Sequence, residues 1–137
     1  MEQPAVHRER VQVEWSDTDA SGHVHNTAPL RWAERAEHAL LRGIGLGPSP
    51  TLLRRRIEVE YLLPLTAADA VDVELRVAGV GRTSVTYAWQ GVTDRGPAFS
   101  GTSVVVHVVD GRPAPLPPPL RSALTAAPET VRPPERT

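Results

Sequence analysis

An α+β domain, in which one long helix lies over a mostly antiparallel five-stranded sheet, is the fold class this sequence predicts. Three observations lead to it. One stretch, residues 26–45, repeats apolar residues at helical spacing, while five others alternate or run Val-rich in the manner of strands. The four strand-like stretches after the helix are separated by Pro, Gly and Asp punctuation, and two of their connections are short enough to be hairpins. One helix followed by a run of strands sets that helix against one sheet face. With 137 residues the chain fits one core and not two. That domain is expected over 1–125, with a Pro-rich mobile tail over 126–137.

"VHRERVQVEW", residues 6–15, alternates Val11, Val13 and Trp15 with Gln12 and Glu14, which is the pattern of a half-buried strand. "NTAPLRWAERAEHALLRGIG", residues 26–45, then changes period. Leu30, Ala33, Ala36 or Glu37, Leu40 and Ile44 fall on one helical face, with Arg31, Glu34, Arg35, His38 and Arg42 off it. Asn26 or Thr27 suits the N-cap, Pro29 the first turn, and Gly43 or Gly45 the end. Four strands follow, over 51–65, 69–81, 82–94 and 97–110, with "GVGR" and "TDRGP" as hairpin turns. A short helix suits "PLRSAL" in the Pro-rich stretch beyond Arg112.

Composition narrows the partners. Fifteen Lys plus Arg balance 16 Asp plus Glu, giving a net charge of -1 and no general attraction to nucleic acid or anionic membrane. Neither is expected as a partner. The absence of cysteine removes disulfides, thiolate metal sites and a thiol nucleophile. "MEQPAVHRER" is charged from its second residue and has no apolar run, so neither a signal peptide nor a membrane span is expected, and the default location is cytoplasmic.

The densest chemistry lies between the first strand and the helix, in "WSDTDASGHVHN", residues 15–26. The plainer interpretation is a solvated loop, because Asp, Ser, Gly and Asn are turn residues. Asp17 fits that interpretation as a carboxylate holding the turn, and Gly22 suits a positive φ or a close backbone approach. His23 and His25 face one way on an extended chain, but His7, His38 and His107 sit on other elements, so the ligand count argues against a metal. His107, inside "VVVHVVD", is expected to be a strand residue with a satisfied ring. Of Arg54, Arg55 and Arg56, at most two share a face of an alternating strand.

These blocks, from about Arg8 to Leu124, resemble the hotdog-fold thioesterases of the 4-hydroxybenzoyl-CoA thioesterase type. The similarity is carried by strand, "DTDASGHVHN" and helix, then "IEVEYLLPLTAADAVDVELRV", "GVGRTSVTYAW" and "GTSVVVHVVDGRPAPLPPPLRSAL", in that order. The resemblance implies a central helix wrapped by an antiparallel sheet, a homodimer or a tetramer, and cleavage of acyl-CoA or acyl-carrier-protein thioesters at a dimer interface. No cofactor is implied beyond the CoA or phosphopantetheine of the substrate.

By its place in "DTDASG", Asp19 matches the family's catalytic carboxylate, as nucleophile or general base. Asn26 matches the position whose backbone N–H meets the thioester carbonyl, and an unpaired N–H at a helix start is a physical basis for that role. The chemistry needs little more. A thioester carbonyl is weakly resonance-stabilised, and a leaving thiol with a pKa of roughly 8.5 departs largely as thiolate. Gly22, His23 and His25 are expected around the substrate. Arg82, with Thr83 and Ser84, matches a basic turn that in relatives lies near the phosphates of CoA.

Two positions depart from the family pattern, since many relatives carry tyrosine at Pro29 and arginine at Glu37. Glu37 is also a rival carboxylate, because another hotdog branch places its acid on the central helix, although a structural ion pair also fits it. A third branch acts on polyketide thioesters with an asparagine and an arginine; that arginine is missing here, while a polyketide or aromatic acyl group stays open. Two other functions also stay open. A dehydratase or cyclase on the same fold would use His23 or His25 as base, and a non-catalytic acyl-CoA binding module would leave Asp19 a turn residue.

Overall fold

The computed structural model describes residues 6–46 and 51–125, so the tail expected over 126–137 lies outside the described residues. The elements run β1 (Val6–Gln12), α1 (Ala28–Gly43), β2 (Leu52–Tyr61), β3 (Ala70–Val80), β4 (Ser84–Thr93), β5 (Gly96–Val109), β6 (Arg112–Pro113) and α2 (Pro118–Thr125). The five long strands form one sheet in the order β1-β3-β4-β5-β2, every neighbouring pair antiparallel. β6 is a two-residue addition that pairs with the end of β5 across Asp110 and Gly111. This is the expected α+β hotdog architecture, with a sixth short strand beyond the five.

The first strand is shorter than its alternation suggests. Val11 and Val13 are buried as expected, but Trp15 is 77% exposed. The chain leaves the sheet in a single 3-10 turn over Trp15–Asp17, closed by the Asp17 N–H donating to the Glu14 carbonyl at 2.9 Å and capped by the Glu14 N–H donating to the Asp17 carboxylate at 2.9 Å.

In α1 the buried face is Ala28, Pro29, Trp32, Ala33, Ala36, Glu37, Leu40 and Leu41. This is the expected stripe turned slightly, so that Trp32 replaces Leu30 as its large residue, and Trp32 packs on Phe99 with ring centroids 5.9 Å apart. Thr27 is the N-cap by position, without a capping bond from its side chain. The helix closes with paired backbone bonds, Leu46 N–H to the Leu41 carbonyl at 2.7 Å and Gly45 N–H to that of Arg42 at 3.1 Å. That is a Schellman cap.

α1 packs on β1, β3 and β4, under which Val71, Val73, Leu75, Val85 and Phe99 are buried. β2 is different. It pairs only with β5 and is exposed or half-exposed along its whole length. Leu53, Ile57 and Tyr61 stand among the exposed large apolar residues. Between Arg54 and Arg56 the register shifts by one, so the alternation expected of the arginine run breaks at Arg55. Arg54 turns inward to Glu37, and Arg56 pairs with exposed Glu58 at 3.3 Å. Among the described residues, no helix is long and apolar enough to cross a membrane.

Candidate active site

The loop between β1 and α1 is held from several sides. Thr18 and Val24 pair as an isolated bridge, and between them the Asp19 N–H donates to the His23 carbonyl at 3.0 Å. The Gly22 N–H donates to the Asp19 carbonyl at 2.9 Å, and Gly22 takes φ +83°, a backbone conformation that side-chain-bearing residues resist. Val24 N–H to the Leu65 carbonyl, at 2.7 Å, ties the loop to the connection after β2.

Asp19 is exposed at the tip of this loop. Its Oδ1 accepts from the Ser21 hydroxyl at 2.5 Å and the Ser21 N–H at 2.8 Å, while Oδ2 has no hydrogen-bond partner among the described residues. The Ser21 hydroxyl, then the Ser21 N–H, hold the carboxyl below its ordinary value, and nearby His25 and His23 add to the effect. At neutral pH it is a carboxylate with one oxygen available to react.

Asn26 stands at the mouth of α1. Its N–H donates to nothing among the described residues, and an unpaired amide at the positive end of a helix suits a developing oxyanion. Its carbonyl accepts from the Tyr61 hydroxyl, which fixes the peptide from the β2 side. His25 is fixed from the helix side. Its Nδ1 lies 3.2 Å from the Thr27 N–H and 2.8 Å from the Thr27 hydroxyl. Since a backbone N–H only donates, Nδ1 is the acceptor, and the neutral ring carries its proton on Nε2. Arg31 continues the chain, donating to the Thr27 hydroxyl at 3.0 Å and to Asp17 at 3.2 Å. Asp17 is thereby a holding group in the loop.

These residues surround one cavity of about 550 Å³. Asp19, His23, His25, Asn26 and Tyr61 line its polar side; Pro29, Leu63, Leu65, Ala98 and Phe99 give the apolar side. The chemistry the cavity can support is attack on an acyl carbon, with an anionic oxygen on one wall and an oxyanion donor on another.

Arg82, Thr83 and Ser84 are not brought to it within one chain. They turn between β3 and β4, while the cavity sits by Phe99, which pairs with Gly91 at the other end of β4. Seven residues of strand, about 23 Å at the usual rise, separate the two. The Arg82 carbonyl there accepts from Leu116 N–H at 2.9 Å and from Arg121 of α2 at 3.2 Å. His107 is satisfied as expected, its Nδ1 donating to the Pro115 carbonyl at 2.9 Å. Among the described residues, no group of three or more His, Asp or Glu is placed to hold a metal ion.

Tyr61 is the site residue that sequence reasoning missed. Its signal lay in "IEVEYLLP", where an aromatic residue ends a strand just before the proline that turns the chain.

Fold and site together define an acyl-thioester enzyme of the hotdog class. Residues 13–124 match the family model of the thioesterase-like superfamily. The chain belongs to that superfamily, and the activity that goes with it is thioester hydrolysis. A thioesterase from Thermus thermophilus, solved in complex with coenzyme A and zinc, is 34% identical over 90% of this chain and 100% of its own, with a TM-score of 0.79. A predicted thioesterase from Bacillus stearothermophilus is 26% identical over 88% of this chain and 94% of its own, TM-score 0.79. A 1,4-dihydroxy-2-naphthoyl-CoA thioesterase from Synechocystis shares the fold at 18% identity, over 88% of this chain and 96% of its own, TM-score 0.80. No curated protein matches the sequence.

Proposed function

We propose that the protein hydrolyses an acyl-CoA thioester, with Asp19 driving the attack and the Asn26 N–H receiving the oxyanion. One observation carries this assignment: an ionised carboxylate with a free oxygen and an unpaired helix-start N–H line the same cavity. Asp19 either adds to the acyl carbon or takes a proton from the water that does. In either route the C–S bond breaks and the thiolate leaves with the electron pair; after direct addition, water then cleaves the acyl–Asp19 anhydride to the free acid and the regenerated carboxylate. Coenzyme A as the thiol is supported by the Thermus thioesterase, which is complexed with it.

The working unit in this proposal is a homodimer joined along β2. That strand has an unpaired edge and exposed apolar side chains, a combination that soluble proteins otherwise avoid. Pairing β2 antiparallel with its own copy lays the Leu52 end of one strand beside the Tyr61 end of the other. Ser84 pairs with Val106, beside His107, the partner of Leu52. The turn holding Arg82, Thr83 and Ser84 is thereby carried toward the thioester site of the second protomer, where Arg82 meets the phosphates of CoA.

The test is thiol release from short, medium, β-keto and aromatic acyl-CoAs by wild type and by Asp19→Asn. Hydrolysis that falls by two orders of magnitude or more in a folded Asp19→Asn dimer is the expected result. Release unchanged by the substitution overturns the role of Asp19. No release from any acyl-CoA, with release from acyl-carrier protein, replaces CoA as the thiol.

A further inference from the structure

Two imidazoles, His23 and His25, line the cavity that holds Asp19, and their hydrogen bonds give them opposite tautomers. The Ser21 hydroxyl decides the first. It has one proton and two lone pairs. The proton goes to Asp19 Oδ1 at 2.5 Å, so the other two contacts of that oxygen donate to it. One is the His23 N–H at 3.4 Å, and the other is His23 Nδ1, also at 3.4 Å. Nδ1 therefore carries a proton, and in the neutral ring Nε2 is left with a lone pair. That nitrogen has no hydrogen-bond partner among the described residues, and His23 is exposed at the cavity. His25 is the reverse case, since its Nδ1 accepts from the Thr27 N–H at 3.2 Å and its Nε2 bears the proton. Of the two rings, His23 alone offers a free lone pair.

A two-step hydrolysis needs such a lone pair. Once Asp19 Oδ2 has added to the acyl carbon and the thiolate has left, the carboxylate is tied up in an anhydride and no longer takes a proton from water. Oδ1 is the oxygen held by the Ser21 hydroxyl and N–H, which keeps the anhydride one hydroxyl away from the His23 ring. The other polar side chains of the cavity do not suit the task. His25 presents an N–H, the Asn26 amide is no base, and the Tyr61 hydroxyl gives its proton to the Asn26 carbonyl.

We propose that His23 is the general base of this second step, with Nε2 taking a proton from the water that adds to the acyl carbon of the anhydride. The C–O bond to Asp19 then breaks, and its electron pair returns to the carboxylate. The acid product keeps the water oxygen and its second proton, and the imidazolium yields its proton to the departed thiolate through solvent. The inference rests on the thioesterase assignment and selects, of the two roles open to Asp19, the nucleophile.

The experiment follows thiol release from an acyl-CoA by wild type and His23→Asn, in the first turnover and at steady state. Asparagine keeps a donor for Ser21 and lacks the basic nitrogen. Because thiol release precedes the His23 step, kcat/KM is expected to stay within about twofold while kcat falls about a hundredfold, the scale of a lost general base. Thiol then appears in a burst of about one equivalent per active site. Hydroxylamine, a nucleophile that needs no base, is expected to restore the steady-state rate of the variant and to give the acyl hydroxamate. A substitution that only loosens the loop lowers kcat and kcat/KM together without a burst, and that result overturns the proposal. An unchanged kcat overturns it as well. His23→Gln repeats the test if His23→Asn does not fold. Wild type that releases no thiol from any acyl-CoA overturns the thioesterase assignment and this step with it, whereas hydrolysis by wild type with neither split nor burst in the variants overturns the role of His23 alone.

Discussion

The Tyr61 hydroxyl donates to the carbonyl of Asn26, joining the end of β2 to the start of α1. The bond fixes the residue whose N–H is proposed to receive the oxyanion, in the cavity that Asn26 lines with Asp19. Burial raises the Tyr61 hydroxyl above its ordinary value, so it remains a donor at every working pH. Tyr61→Phe keeps the ring and removes this one bond. Its loss, at about 1 kcal/mol, is expected to lower kcat roughly fivefold. Steady-state kinetics with one acyl-CoA check it, and an unchanged kcat removes Tyr61 from positioning.

The pH profile follows from Asp19. The two Ser21 donors hold its carboxyl below the ordinary 3.8. The form required for attack, the carboxylate, is therefore complete above that value, and activity falls only as pH drops through the lowered one. The expected profile of kcat/KM has no limb from Asp19 between about pH 5 and 7. Ser21→Ala removes the strongest donor and moves the acid limb upward. A limb that Ser21→Ala leaves in place belongs to another group.

The elements most legible in the sequence were those whose signals are periodic. Val71, Val73 and Leu75 in β3, and Val85, Tyr87 and Trp89 in β4, alternate in the sequence and are buried as that alternation requires. Trp15 was misplaced because a backbone turn overrides an alternating pattern, and here the reciprocal bonds between Glu14 and Asp17 and those from Thr18 to the Trp15 carbonyl turn the chain. β6 was missed although Asp-Gly is a strong hairpin signal, because the partner stretch is only two residues long. In the site, the clustering of Asp19, His23, His25 and Asn26 follows from one short loop, so proximity in sequence sufficed. Tyr61 reaches that loop across 35 residues through sheet pairing, and no local pattern encodes such a meeting.

The Glu37–Arg54 pair makes a stability prediction with a defined sign. Arg54→Ala leaves Glu37 enclosed without its cation. The expected cost is about 3 kcal/mol, at the low end for buried pairs, because Arg54 keeps 26% of its side chain exposed. Burial raises the Glu37 carboxyl above its ordinary 4.5, against the pull of Arg54 and then Ser103. The native chain thus holds that proton to higher pH than the unfolded chain does. This contribution to stability is full below pH 4.5 and is lost as pH rises through the native value. Urea midpoints from pH 4 upward are expected to show that falling component in wild type and not in Glu37→Gln. The same slope in both proteins assigns it elsewhere.

Gly101 marks a close approach between strands in the sheet. A Cβ there would lie 2.6 Å from the Glu58 carbonyl and 2.6 Å from the Trp89 ring. Neither has room to yield, since one is backbone and the other is buried against Phe99, at 6.0 Å between ring centroids. Gly101→Ala is expected to cost about 2 kcal/mol, seen as a lower thermal midpoint. A midpoint equal to wild type refutes that packing.

The exposed edge of β2 yields a prediction that links assembly to activity. Ile57 lies in the middle of that strand, 39% exposed, with Leu53 and Tyr61, each 50% exposed, toward its two ends. A lysine at Ile57 puts two like charges near the two-fold axis of a β2–β2 dimer, while in an isolated chain it stands in solvent at little cost. Ile57→Lys is therefore expected to give a folded monomer in sedimentation at micromolar concentration, where the wild type is expected to be the proposed dimer. Because the proposed site draws Arg82 from the second protomer, the monomer is expected to bind CoA thioesters more weakly by about tenfold or more, the scale of a lost charge-assisted contact. Arg82→Ala gives the matching control: a raised KM with the dimer intact. A monomeric Ile57→Lys that keeps wild-type KM shows that one chain completes the site, and Arg82 is then an ordinary hairpin charge.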